Sequence, residues 1–125
     1  MCQATPRAER ELQVSHESPG LAREFLRTAT CAEHHSSLVD DAVLLTSELV
    51  TNAVLHGGPP LVVAVECDGE RLQVQVRDGA LERPTPRDAA RTDESGRGLA
   101  LVAALSEDWG VDPAGDGKYV WFVIR

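Results

Sequence analysis

Glu48-Leu49-Val50-Thr51-Asn52-Ala53-Val54-Leu55-His56-Gly57-Gly58 is the stretch around which this chain is organised. Three polar side chains, Glu48, Asn52 and His56, recur every fourth residue in an otherwise apolar run, and helical spacing lines them up in one slowly drifting row. At about 100° of turn per residue, Val39, Ala42, Val43, Leu45, Leu49, Val50 and Ala53 fill the arc beside that row. The row therefore borders the core-facing stripe, where a pocket wall would stand. Read alone, the pattern fits equally well an ordinary helix with polar residues tolerated at its margin, ended by a dipole-compatible His56 and a glycine stop. A second signal downstream tips the balance.

The length of 125 residues suits one domain with a real hydrophobic core, and 42% apolar content is ordinary for a globular protein. Twelve basic against twenty acidic residues give a formal charge of -8, which repels a phosphate backbone or an anionic membrane. Direct nucleic-acid and membrane roles are thus disfavoured, whereas a small nucleotide needs only local amides, with or without a cation. Cys2, Cys31 and Cys67 are odd in number and widely spaced, with no Cys-x-x-Cys pair, and read as reduced thiols. The leader is polar and every apolar run is too short to span a bilayer, so a cytoplasmic protein is expected.

Residues 1–10 read as a flexible N-terminus and residues 11–125 as a single domain. Leu12, Val14 and His16 alternate with polar neighbours in the manner of an edge strand, and Ser18-Pro19 then opens a helix reaching about Cys31, with Ser18 capping its amides. His34 and His35 point to different faces of any regular element and make a poor metal pair. The long helix from about Leu38 to Leu55 stops at Gly57-Gly58-Pro59-Pro60. Two strands, Leu61 to Cys67 and Leu72 to Arg77, join through Asp68-Gly69 as a hairpin. In the second, Leu72, Val74 and Val76 face one way and Gln73, Gln75 and Arg77 the other, so one sheet face is wet.

Asp78-Gly79-Ala80 closes that strand. The segment at about residues 80–95 has no apolar face and is as long as a functional lid. It ends in Glu94-Ser95-Gly96-Arg97-Gly98-Leu99, which starts a third helix, a place where glycine-rich backbone amides and the helix dipole suit an anion. Strands at about Asp108 to Val111 and Tyr119 to Ile124 finish the chain, with Trp109, Trp121 and Phe122 serving sheet and core. The expected fold is α+β: a two-layer sandwich of about five mixed, mostly antiparallel strands covered on one face by three helices. A Rossmann fingerprint fits badly for want of its third glycine and preceding strand, and no Walker A Gly-Lys-Ser/Thr occurs.

In order and spacing, a Glu-x-x-x-Asn helix, a hairpin ending in Asp-Gly, a polar lid and Gly-x-Gly opening a helix resemble the ATP-binding fold shared by gyrase, the heat-shock chaperone, histidine kinases and MutL. Glu48 to Gly58 and Glu94 to Val102 look most like the single-domain anti-sigma regulatory kinases of bacteria, and the likeness covers about residues 12–125. The resemblance implies ATP and Mg²⁺ as cofactors. Asn52 would then hold Mg²⁺ as an oxygen ligand, Glu48 would act as general base, and Asp78, followed by Gly79, would accept a hydrogen bond from the adenine amino group. Gly96, Arg97, Gly98 and Leu99 would wrap the phosphates. It further implies serine/threonine kinase activity on an anti-sigma-factor antagonist, a sigma-factor partner and a homodimer; the alternative is a non-catalytic or weakly nucleotide-binding interaction module of the same fold. Ala80 stands where the family usually has Gly or Ser, and Tyr119 near where it commonly has Thr beside the adenine, so both departures fall at the base end.

Overall fold

The computed structural model describes residues 5–30, 36–67, 71–79, 100–115 and 117–124. The chain forms β1 (Thr5–Leu12), α1 (Ser18–Ala29), α2 (Ser36–His56), β2 (Leu61–Cys67), β3 (Leu72–Asp78), β4 (Asp108–Ala114) and β5 (Gly117–Ile124). Residues 100–105 are helical ahead of β4. One five-stranded sheet runs in the order β1-β2-β3-β5-β4. Every neighbouring pair in it is antiparallel, so the expected α+β sandwich holds without a parallel pairing.

Strand alternation decides which side chains meet the helices. In β3, Leu72, Val74, Val76 and Asp78 are buried, while Gln73, Gln75 and Arg77 between them are more exposed. Their partners in β5 across the register are Ile124, Phe122, Val120 and Lys118. Directly opposed residues of an antiparallel pair share a face, so this set lies on the side against α2. Ala42, Leu45, Leu49, Val50 and Ala53 of α2 are at most 3% exposed and belong to the same core cluster as Val74, Val76 and Phe122. The arc read from the helical spacing is therefore the packed one. Ala22 and Leu26 of α1 join the cluster, and Arg27 bridges to Asp40 of α2 at 3.3 Å on the outer surface, where such a pair adds little stability.

Some expectations are corrected. Residues 5–10, expected as part of a flexible leader, lie in β1, and the strand ends at Leu12 instead of running on to His16. The pattern hid it because an edge strand is held by backbone bonds to β2, and its charged side chains need no buried face. Ser18 does not cap α1. Glu17 takes that position, and the Ser18 hydroxyl turns back to the incoming loop, donating to the Gln13 carbonyl and accepting from the Ser15 N–H. Cys67, expected as a reduced thiol, is disulfide-bonded, its other half lying outside the described residues. The register lays Thr5 opposite Cys67, bringing two distant parts of the chain together in a way that cysteine spacing cannot disclose. Phe122 is fully buried and Trp109 packs against the core, but Trp121 lies on the open sheet face, where its indole N–H donates to Asp112 at 2.8 Å. Gly110 opposes it, and a Cβ there would come within 2.7 Å of the ring. The turn at Asp68-Gly69 and the pair His34-His35 lie outside the described residues.

Thr46 carries an unsatisfied polar atom into the core. Thr46, fully buried on α2, has a hydroxyl with no hydrogen-bond partner, and such a group carries a desolvation cost of about 1–3 kcal/mol. Thr46→Val removes the hydroxyl at nearly constant shape and is expected to raise the urea midpoint, by about 1 kcal/mol in unfolding free energy. Cys67 is expected to resist iodoacetamide in the untreated unfolded protein and to become alkylated once reductant is added, as read by peptide mass spectrometry.

Candidate functional site

Glu48 and Asn52 are half-buried on α2 and His56 is exposed at its end. Glu48 and Asn52 stand one turn apart, about 6 Å along the axis. Leu45, Leu49 and Ala53 beside them are buried, so the row does follow the margin of the packed arc. Asn52 turns its side-chain oxygen inward, with less than 1 Å² of that atom exposed. An amide oxygen in this position is a hard donor of the kind Mg²⁺ accepts. Among the described residues no group of three or more His, Cys, Asp or Glu side chains is placed to hold a metal ion. A single amide oxygen could serve an ion that keeps most of its waters, as Mg²⁺ commonly does.

The other half of the site is built where three chain segments converge on Asp78. The helix ends at His56, and the N–H of the next residue, Gly57, donates to the Ala53 carbonyl at 2.9 Å. A Cβ on Gly57 would stand 2.8 Å from the Asp78 carboxyl carbon, which shows how closely the helix end approaches that side chain. Gly79 donates its N–H to the Gly58 carbonyl at 2.8 Å, and a Cβ on it would collide with the Pro59 carbonyl oxygen. On the far side, a Cβ on Gly117 would overlap the Asp78 carbonyl oxygen and come 2.9 Å from the Gly79 Cα. Any side chain at these glycines would push the segments apart and displace Asp78.

Asp78 is 5% exposed, and Lys118, 7% exposed, lies across from it in the β3–β5 register. The Lys118 ammonium donates to both carboxylate oxygens, at 2.8 and 3.0 Å. Burying two charges is tolerable only when each satisfies the other, and the two hydrogen bonds do so. Lys118 was not among the residues that sequence reasoning singled out. A lone lysine opening the run Gly117-Lys118-Tyr119-Val120-Trp121-Phe122 was the available signal. Tyr119 was expected at the base end instead, and the register corrects this: Tyr119 pairs with Arg77 and Asp112 on the open face. A shift of one residue along a strand reverses the face.

The structure thus brings the end of the α2 row, Asp78 and Gly79 to one edge of the helix-facing layer. Gly96, Arg97, Gly98 and Leu99 lie outside the described residues, as do Ala80 and the lid at about 80–95. No helix among the described residues is long and apolar enough to cross a membrane.

Residues 12–124 match the model of the histidine kinase-like ATPase domain, which takes in nearly the whole chain. The chain belongs to that family. An uncharacterized protein of Streptomyces coelicolor is 37% identical to this ATPase-family chain over 79 residues, covering 59% of this chain and 75% of the relative. Among solved structures, that of the RsbU and RsbW domains of Rv1364c from Mycobacterium tuberculosis superposes on 97% of this chain with a TM-score of 0.71 at 23% identity. A blue-light activated histidine kinase of Erythrobacter litoralis matches over 84% with a TM-score of 0.56 at 23% identity. Its histidine kinase domain matches over 70% with a TM-score of 0.50 at 28% identity. The chain spans 32%, 39% and 44% of those three proteins respectively, so what it shares with them is the domain.

Gly117→Ala is expected to destabilise the domain by about 1–3 kcal/mol or more, since the added methyl has no room to enter. Gly58→Ala, where a Cβ would meet nothing within 4 Å, is the matched control and should shift the thermal midpoint little.

Proposed function

We propose that this domain binds ATP with Mg²⁺ and acts as a serine/threonine protein kinase on an anti-sigma-factor antagonist, as one arm of a partner switch with a sigma factor. The observation that carries this reading is the glycine-walled position of Asp78 beside the end of the helix bearing Glu48 and Asn52. In this proposal Asp78 and Gly79 form the base end, and Asn52 contributes its amide oxygen to the Mg²⁺ that accompanies the phosphates. Bound Mg²⁺ would neutralise phosphate charge. Glu48 orients the acceptor hydroxyl and takes its proton, and Gly96, Arg97, Gly98 and Leu99 contact the phosphates. Phosphoryl transfer asks mostly for positioning and charge neutralisation, the work this reading gives to Glu48, Asn52 and the glycine-rich segment. The reading places the protein in the cytoplasm, where ATP and sigma factors meet, although a disulfide such as that of Cys67 is uncommon there.

A second reading is favoured by one specific observation. Both oxygens of Asp78 already accept hydrogen bonds from Lys118, which suits an interaction module that binds nucleotide weakly and does not turn it over. Titration calorimetry with Mg²⁺ and ATP separates the two, because the kinase reading requires binding. Glu48→Ala is expected to lower phosphate transfer to the antagonist by roughly 10²–10⁴-fold, the usual contribution of a general base, with ATP affinity nearly unchanged. Transfer that persists at the wild-type rate removes Glu48 from its role.

A further inference from the structure

The buried ion pair at the base end carries an inference that rests on the nucleotide-site reading and deepens it. A lone carboxylate offers only acceptors. It suits the amino group at position 6 of adenine and opposes the carbonyl oxygen that hypoxanthine and guanine carry there, because two acceptors would then face each other. In this protein the carboxylate does not stand alone. Lys118 Nζ sits 2.8 and 3.0 Å from the two Asp78 oxygens, and both side chains are more than nine-tenths buried on the helix-facing side of the sheet. An ammonium has three donors, and the two bonds to Asp78 leave one.

We propose that Lys118 is a specificity-determining residue which makes the base pocket a reader of 6-keto purine nucleotides as well as ATP. Lys118 donates to the 6-keto oxygen while Asp78 accepts from the ring N1–H, so donor and acceptor are both matched. With adenine, the same carboxylate accepts from the 6-amino group, but its charge is shared with the ammonium, and the extra strength of a hydrogen bond to an unshared charge is reduced. The pair thus narrows the gap between the two base classes from both sides. Its geometry is maintained by the fold: the β3–β5 register sets Lys118 opposite Asp78, and Gly57, Gly79 and Gly117 leave both held at close quarters.

The test is calorimetry with Mg²⁺ and either ATP or inosine triphosphate, which differs from ATP only at position 6 and in the N1 proton. Wild-type protein should bind the two with dissociation constants within about tenfold, and Lys118→Met should move their ratio by about tenfold or more toward ATP, as expected for loss of a hydrogen bond to a charged donor. Circular dichroism checks that the variant is folded. A folded variant with a ratio moved by less than that overturns the inference and leaves the nucleotide site standing. If Lys118→Met does not fold, the wild-type comparison decides: an ATP preference well beyond tenfold overturns the inference, and near-equal binding supports it. Failure of both proteins to bind either nucleotide overturns the inference together with the nucleotide-site reading.

Discussion

Three strands of chain meet at Asp78 more closely than any side chain would permit, and the candidate site depends on that approach. The end of α2, the exit of β3 and the entrance of β5 are held together by Gly57, Gly79 and Gly117, each bordered by atoms that a Cβ would strike. Glycine is the only residue that leaves room, and here its use is steric rather than a matter of unusual backbone angles. Inside this junction sits a carboxylate–ammonium pair that neither water nor another protein charge could replace without cost. The remainder of the fold serves the junction: the apolar arc of α2 packs against β3 and β5, and the sheet register brings Lys118 opposite Asp78.

The two ends of the site differ in kind. Along α2, Glu48 and Asn52 sit at a half-buried margin, a setting in which a side chain can reach both a ligand and solvent. At Asp78 the groups are almost wholly enclosed and bonded to each other. Reorganising the first end costs little, while the second is fixed by packing and by the expense of exposing an unpaired buried charge. In the proposed nucleotide site, such a division suits a ligand whose base is read rigidly and whose phosphates are gathered more loosely.

The opposite sheet face follows other rules. Gln73, Gln75 and Arg77 keep it polar, while Trp121 lies over Gly110 and is anchored to Asp112. An indole with its N–H satisfied can remain partly exposed without strain. The two tryptophans thus divide between faces, Trp109 against the core and Trp121 on the open sheet.

Much of this was legible in the residues themselves. The 3.6-residue period of α2 and the two-residue period of β3 report burial directly, since each position's neighbours on its own face follow from local geometry, and so the helix row, the hairpin, the wet sheet face and Asp78 at a strand end could be read without a structure. The likeness of the Glu48 to Gly58 stretch to a known family was likewise carried by the letters. What local pattern does not encode is which distant residues stand opposite each other. The strand at Thr5–Leu12 is held by backbone bonds that leave no side-chain signature, cysteine spacing does not disclose that Cys67 is disulfide-bonded, and the choice of Lys118 over Tyr119 as the partner of Asp78 depends on a one-residue register between β3 and β5. Registers and crossings are set by the sum of many packing contacts, and only the folded chain adds them up.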